Sequence, residues 1–214
     1  MCDDWFYAKI KAGEIMLFLF SKFKKKKWMK YGAEKRLKIL VALEKKVAKQ
    51  LKIEPLILEL HEEEEWNCFG AFTVNNGLKK IVLNQNLIYE PRFRFHAMET
   101  IAHETRHAYQ YGIISKDLKW YEFTAKKWKR NWGAYFTSSV DDVMYNNQAI
   151  ERDAQKYSIK FLKKHKYPDE DYIETFNAVC YRYDQAEVQA KKKYGFFYKF
   201  KIEKNIKDKS KYDY

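Results

Sequence analysis

The predicted fold and its candidate site are inferred first from residues 99–112, ETIAHETRHAYQYG. These residues place His103 and His107 four positions apart, with Glu104 directly after the first histidine. Four residues of an α-helix advance by about 400°, so both imidazoles lie on one helical face, roughly 6 Å apart along the axis. This H-E-x-x-H spacing lets two imidazoles bind one Zn²⁺ while the glutamate acts as a general base. We therefore predict a helix that binds one zinc ion per chain.

A hydrolytic zinc site also needs a third protein ligand, and the sequence offers three sources for it. The extended motif would require glycine at position 110 and histidine at position 113, whereas the chain has Gln110 and Ile113, which excludes that variant. A thiolate from Cys68 is the second source, but its surroundings, NCFGA, are more typical of a cysteine packed on a strand. The third source is a carboxylate from a later helix.

The segment NNQAIERDAQKYSIKFL at 146–162 contains two such carboxylates. Glu151 is the first choice, because the small Ala154 shares its helical face and would let this helix approach the histidine helix closely. Asp153 is the substitute. The two carboxylates lie about 200° apart around a helix, so one ion cannot bind both. The predicted metal ligands are His103, His107 and Glu151.

Hydrophobic periodicity along the rest of the chain predicts an α+β fold that is mainly helical. We expect a small antiparallel β-sheet or hairpin that packs on the H-E-x-x-H helix and on the later glutamate helix. The hairpin is FGAFTVNNGLKKIVLN at 69–84, with its Asn-Asn-Gly turn at 75–77. The other predicted elements are helices at 5–23, 33–52, 92–111 (stopped by Gly112), 147–165 and 169–194, a strand at 56–61, a solvated loop at 62–65 and a partly disordered tail at 195–214.

The chain has a net charge of +13 and three widely spaced cysteines. The charge, which is high in the lysine run at 22–27 and in the tail at 191–214, predicts weak contact with polyanions. The odd number of cysteines and the lack of C-x-x-C spacing argue against a disulfide framework or a zinc finger and favour a reducing, cytoplasmic setting. The most apolar run, IMLFLF at 15–20, is too short to span a bilayer, so no transmembrane segment is expected.

The order of a β-hairpin, an H-E-x-x-H helix and a helix opening with E-x-x-A resembles the gluzincin metallopeptidases, and most of all their small, minimal members. The resemblance covers residues 56–165, a predicted metallopeptidase core between an N-terminal helical region (1–55) and a C-terminal helix with a basic aromatic tail (166–214). It implies that the two histidines and Glu151 hold zinc and that an edge strand binds extended substrate. The chain departs from the family at Gln155, where many members have an aspartate that supports a zinc-bound histidine.

These residues predict a zinc-dependent peptide-bond hydrolase. Glu104 is expected to take a proton from the attacking water and to pass it to the leaving amine. Tyr145 is the first candidate for the group that stabilises the oxyanion, with Tyr109 and Tyr135 as alternatives. The strand KKIVLN at 79–84 is the predicted edge to which a peptide or protein substrate adds by main-chain pairing.

The alternative function is a basic nucleic-acid-binding or recognition protein on a peptidase-like fold, without hydrolysis. Residues 191–214 carry 9 lysines against 3 acidic residues, and aromatic residues stand among them. Such a segment can contact phosphates and stack on bases. The sequence contains no recognisable nucleic-acid-binding motif. Zinc content would therefore favour the hydrolase, and salt-dependent DNA binding without zinc would favour the alternative.

Overall fold

Helices dominate the computed structural model, which describes residues 19–61, 68–115 and 122–209. This confirms the predicted, mainly helical α+β class. The predicted loop at 62–65 and most of the predicted helix at 5–23 lie outside the described residues. None of the helices within those three ranges combines the length and the apolarity that a bilayer crossing requires. In chain order the elements are α1 (Lys25–Trp28), α2 (Ala33–Leu51), β1 (Ile57–His61), β2 (Gly70–Asn75), β3 (Leu78–Asn84), α3 (Asn86–Tyr89), α4 (Arg94–Ile114), α5 (Glu122–Gly133), α6 (Asp142–Asn147), α7 (Ala149–Lys164), α8 (Glu170–Tyr194) and α9 (Tyr198–Lys209).

The three strands form one mixed sheet in the order β1–β3–β2. β2 and β3 pair antiparallel, with Phe72 opposite Ile81, which confirms the predicted hairpin. Asn76 and Gly77 make its tight turn with φ angles of 48° and 78°, which glycine and asparagine tolerate best. β1 pairs parallel with β3, with Leu58 opposite Ile81, so the sheet is not antiparallel throughout as predicted.

β3 is the central strand, so the prediction that residues 79–84 form an edge strand is wrong. Ile81 and Leu83 of β3 are fully buried, whereas β2 has no fully buried residue and is an edge of the sheet in the described part of the chain. Lys80 forms an ion pair with Glu59 of β1, with 2.6 Å between Nζ and Oε2. Lys80 therefore joins β3 to a neighbouring strand by a cross-strand pair.

α4 carries the two histidines and is buried along most of its length. It contacts the sheet, α2 and α7. The helix continues through Gly112 to Ile114, so the predicted stop at Gly112 is wrong. A glycine inside a helix costs about 1 kcal/mol, and the burial of Ile113 in the core offsets that cost. The motif consequently lies well inside a regular helix, with both histidines more than a turn from its end.

Arg94, in the first turn of α4, joins segments that are distant in sequence. Its Nε donates a hydrogen bond to the carbonyl oxygen of Phe23 at 3.0 Å. The buried guanidinium also forms ion pairs with Asp169, at 2.5 Å, and with Asp171, both at the start of α8. The main hydrophobic core likewise contains residues from 19–51, from 56–165 and from α8. The three predicted regions therefore contribute to one shared core.

The C-terminal tail is helical, which corrects the prediction of partial disorder for its described residues, 195–209. Gly195 ends α8 with a φ of 75°, a conformation that favours glycine, and the chain then enters α9. The buried residues of α9 recur every four positions and form one helical stripe. This stripe packs in a second hydrophobic cluster made of Ala134, Met144, Ala190, Tyr198, Ile202 and Ile206.

Glu44 of α2 is a fully buried carboxyl group outside the histidine site. Its Oε1 accepts a hydrogen bond from the Leu56 N–H at 2.9 Å, and its Oε2 has no partner among the described residues. Burial raises the pKa of Glu44 from 4.5 to about 7, although the Leu56 hydrogen bond lowers it. The folded protein therefore keeps this proton at a pH where the unfolded chain has lost it. The free energy of unfolding should consequently fall as the pH rises through the interval from 4.5 to about 7.

Glu44→Gln should remove this pH dependence. At about 1.4 kcal/mol for each unit of pKa, the raised pKa sets an upper limit of about 3 kcal/mol for the gain in unfolding free energy above about pH 8. At least about one pH unit below the unperturbed pKa of glutamate no such gain is expected, because both states then hold the proton. Urea unfolding at the two pH values measures the effect, with Glu54→Gln at an exposed carboxylate as the control. An unchanged pH slope in Glu44→Gln would contradict the assignment.

Candidate metal centre

Two helices bring three potential metal ligands together. His103 and His107 lie one turn apart on α4, and Glu151 lies in the first turn of α7. The two Nε2 atoms are 3.0 Å apart. Glu151 Oε1 is 3.2 Å from His107 Nε2, and its Oε2 is 3.4 Å from His103 Nε2. The structure thus brings together the three residues that the sequence predicted as ligands.

These separations fit a four-coordinate zinc ion. Zinc bonds of about 2.0–2.1 Å in tetrahedral geometry hold neighbouring ligand atoms about 3.3 Å apart. The 3.0 Å between the two nitrogens, and the 3.2 and 3.4 Å from each nitrogen to one of the two Glu151 oxygens, lie on both sides of that value. Imidazole nitrogens and a carboxylate oxygen are ligands that zinc accepts, and a set of three leaves one position for water or substrate. The residues therefore fit zinc in both spacing and chemistry.

Asp153 is engaged on another side of α7. Its Oδ2 accepts hydrogen bonds from Arg106 Nε at 2.7 Å and from Gln110 Nε2 at 2.8 Å. The Arg106 guanidinium in turn packs over the ring of Tyr109, 4.4 Å from its centroid. Of the two carboxylates that the sequence offered, the structure brings Glu151 to the histidines, and Asp153 belongs to a neighbouring network.

Gln110, which was not predicted as a site residue, orients His107. Its Nε2 donates to the carbonyl oxygen of Ile150 at 2.9 Å and to Asp153. Its Oε1 is therefore the acceptor that lies 2.9 Å from His107 Nδ1. A neutral His107 then carries its proton on Nδ1, and the lone pair of its Nε2 is directed at the other two ligands. The signal in the sequence was an amide three residues after a histidine on the same helix.

Glu99 lies beside His103. The sequence has Gln155 where many gluzincins have an aspartate that supports a zinc-bound histidine, so another supporting carboxylate was not predicted. Glu99 Oε1 is 4.0 Å from His103 Nδ1 and accepts a hydrogen bond from Ser158 Oγ at 2.7 Å. Glu99 precedes His103 by four residues, so it occupies the same face of α4. The carboxylate that faces this imidazole thus comes from α4 itself, and helical spacing could have identified it.

Glu104 lies beside the ligand atoms and is fixed to the sheet. Its Oε2 accepts a hydrogen bond from the Phe72 N–H of β2 at 2.7 Å. Burial raises the pKa of Glu104, and the charge of Glu151 adds to this, while the two histidines and the Phe72 hydrogen bond oppose it. The net direction is upward. A carboxylate with a raised pKa is a stronger base than an ordinary glutamate, as proton abstraction from water requires.

The site stabilises positive charge. Burial lowers the pKa of His107, but the carboxylates of Glu151 and Glu104 outweigh it and raise that pKa to about 9. For His103 the same carboxylates outweigh burial and raise the pKa. The histidines in turn hold the pKa of Glu151 well below its usual range, although burial opposes this. Two buried carboxylates beside two imidazoles therefore favour bound protons or a divalent cation in this space.

Two tyrosines line the cavity beside these groups. The hydroxyl of Tyr135 donates to Glu151 Oε1 at 2.6 Å. The ring of Tyr145 lies edge-on to that of Tyr135, with 6.0 Å between centroids. Burial and the charges of Glu151 and Glu104 raise the pKa of Tyr145, so its hydroxyl stays protonated at neutral pH. Tyr109, the other candidate from the sequence, is not part of the cavity lining.

A cavity of about 470 Å³ opens next to Glu104. Its wall includes β2 and the rings of Phe72 and Trp132, which meet edge to face with 6.1 Å between centroids. Cys68 also lines it but does not belong to the group of ligand atoms. Burial and the charge of Glu104 raise the pKa of Cys68 to about 11, and a protonated thiol is a poor metal ligand. The cavity has the size of a small-ligand site with one apolar wall.

Comparison with known protein families, with curated proteins and with solved structures finds no match for this chain.

Proposed function

We propose that this protein is a zinc-dependent peptide-bond hydrolase of the gluzincin type. The observation that carries the proposal is the convergence of His103, His107 and Glu151, with the carboxylate of Glu104 beside them. A bound Zn²⁺ would polarise the scissile carbonyl and lower the pKa of a water molecule toward about 7. We also propose a cytoplasmic setting, which the unpaired Cys68 supports.

Glu104 is the general base in this proposal. The Phe72 N–H holds its Oε2, and Oε1, which has no hydrogen bond to a described residue, is the atom proposed to exchange a proton. Its raised pKa favours uptake of a proton from the attacking water. The same carboxyl group then gives this proton to the amine that leaves when the peptide C–N bond breaks. Gln110 keeps the His107 imidazole oriented during these steps, and the Glu99 carboxylate faces the His103 imidazole at 4.0 Å.

The outer edge of β2 is the proposed binding strand for an extended peptide. The Phe72 N–H points away from β3, because Glu104 accepts its hydrogen bond. A peptide that pairs with this edge would lie along the cavity and bring a carbonyl group toward the ligand atoms. The rings of Phe72 and Trp132 would then contact a substrate side chain, which favours apolar or aromatic residues next to the scissile bond.

Tyr145→Phe should lower kcat by about 10²-fold, the smaller end of the loss seen for an oxyanion donor, and should change KM little. The hydroxyl is proposed to donate to the oxygen that becomes negative as water attacks the carbonyl. Tyr109→Phe is the matched control, since Tyr109 lies outside the cavity lining. Steady-state kinetics on a peptide substrate measure both variants. A parent-like kcat in Tyr145→Phe would show that another group donates the hydrogen bond to the oxyanion.

Metal content and hydrolysis measured together test the proposed function. The purified protein should contain about one zinc per chain. It should lose hydrolysis of an unstructured polypeptide such as reduced casein on chelation and recover it with stoichiometric Zn²⁺. Because binding must displace protons from histidines whose pKa is raised, zinc affinity should fall as the pH is lowered. A chain that binds no zinc at neutral pH would overturn the proposal.

A further inference from the structure

The turn between α8 and α9 displays apolar rings to solvent. Phe196, Phe197 and Phe200 are 88%, 71% and 72% exposed. Gly195 reverses the chain just before them. Single exposed apolar residues are common, but three exposed phenylalanines within five positions, two of them in ring contact, are a concentration of apolar surface that in a monomer usually marks an interaction site. We call these three residues the aromatic corner.

The packing of α9 accounts for this exposure. Tyr198, Ile202 and Ile206 fill the face of α9 that is buried in the second hydrophobic cluster. Phe200 is two residues from both Tyr198 and Ile202, which places it on the opposite, outer face. Phe200 therefore cannot turn inward without removing the buried stripe of α9.

Another exposed phenylalanine lies at the same end of α9. α5 runs alongside α9 in the same direction, because Lys127 pairs with Glu203 at 2.6 Å and Lys209 donates to the carbonyl oxygen of Tyr135 at 2.5 Å. Phe123 is in the first turn of α5 and is 82% exposed. The apolar surface at this end thus extends beyond the aromatic corner.

Cationic side chains surround the aromatic corner. Lys191 and Lys193 are each paired with an acidic side chain, Glu187 and Asp141. Three more lysines next to the corner make no ion pair with a described residue: Lys192, Lys199 and Lys201. No acidic residue occurs between positions 188 and 202, so this stretch of the chain carries a net positive charge.

We propose that the aromatic corner and its lysines bind the surface of an anionic lipid bilayer. Exposed phenylalanines insert at the boundary between headgroups and acyl chains, while lysines stay at the level of the anionic headgroups. A second copy of the chain fits less well, because it would bring two sets of lysines together. A nucleic acid also fits less well, since Phe196 and Phe197 pack edge to face with 5.5 Å between centroids and do not form a flat stacking platform.

Vesicle sedimentation tests the proposal on the full-length chain. The protein should bind phosphatidylcholine vesicles that contain roughly 30 mol% phosphatidylserine, should bind pure phosphatidylcholine vesicles much more weakly, and should be released by salt. Phe196→Ser combined with Phe197→Ser should weaken binding to the anionic vesicles by about tenfold or more. The matched control combines Leu78→Ser with Tyr89→Ser, which also removes two exposed apolar side chains and should bind as the parent does.

Three results would overturn the proposal. The first is equal vesicle binding by the parent and the Phe196→Ser, Phe197→Ser variant. The second is an equal loss of vesicle binding in the control variant. The third is that the phenylalanine variant loses binding to a single-stranded oligonucleotide, or loses self-association in sedimentation velocity, while its vesicle binding stays unchanged. Peptide hydrolysis plays no part in these measurements, so they stand apart from the proposed enzymatic function.

Discussion

Glu104→Gln is expected to retain about one zinc per chain while its kcat/KM for peptide hydrolysis falls by at least about 10³-fold, within the range attributed to general acid–base catalysis. A glutamine cannot take up the proton of the attacking water. Its amide oxygen can still accept the hydrogen bond that the Phe72 N–H gives to Glu104, so β2 should stay in place. The three proposed ligands are other side chains, and metal content should therefore not change.

Glu44→Gln is the matched control for this substitution. Glu44 is also a buried glutamate with a backbone N–H partner, but it does not line the cavity. This variant should keep the parent kcat/KM at neutral pH. Hydrolysis at the parent rate by a zinc-loaded Glu104→Gln protein would exclude Glu104 as the base. Loss of zinc together with activity would instead make Glu104 a ligand.

The part of the site that the sequence predicted depends on short-range helical geometry. His103 and His107 converge because four residues make about one helical turn, and this holds wherever the helix lies. Glu151 was preferred because the small Ala154 shares its helical face, and the angle of about 200° between Glu151 and Asp153 excluded a site that uses both. The pairing of α7 with α4 was the one long-range assumption, and the small, fully buried Ala154 agrees with it.

The features that the sequence missed depend on contacts between distant segments. The strand order places β2 at an edge of the sheet. The Phe72 N–H of β2 is then not used in strand pairing and can donate to Glu104. The pattern of one strand cannot show whether β2 or β3 is central, because that depends on β1, whose Glu59 pairs with Lys80 across twenty-one residues of sequence.

The C-terminal helix was missed for a different reason. In α9 the buried positions are separated by charged and polar residues and by the exposed Phe200, so the apolar content does not reveal which face packs. Its role becomes clear only from its partners. Lys209 donates to the carbonyl oxygen of Tyr135 and packs over the ring of Phe136, so α9 supports the segment that carries the cavity tyrosine.

Glu151→Ala should lower zinc affinity far more than the roughly 10- to 100-fold that loss of an outer-shell partner costs. The variant loses a ligand and also the negative charge that the histidines face at 3.2 and 3.4 Å. In the metal-free protein the pKa values of His103 and His107 should both fall, because the Glu151 carboxylate is one of the groups that raise them. Competition with a zinc chelator and NMR titration of the imidazole resonances measure the two effects independently.

Asp153→Asn provides the decisive comparison, because Asp153 was the other carboxylate that the sequence offered. Its Oδ2 accepts hydrogen bonds from Arg106 and Gln110, so its loss should act on His107 only through Gln110. We therefore expect zinc affinity to fall by no more than about 10- to 100-fold, with zinc still bound at stoichiometric concentration. The reverse ranking, with zinc retained in Glu151→Ala and lost in Asp153→Asn, would mean that α7 presents a different face to α4 in solution, and the proposed ligand set would fail with it.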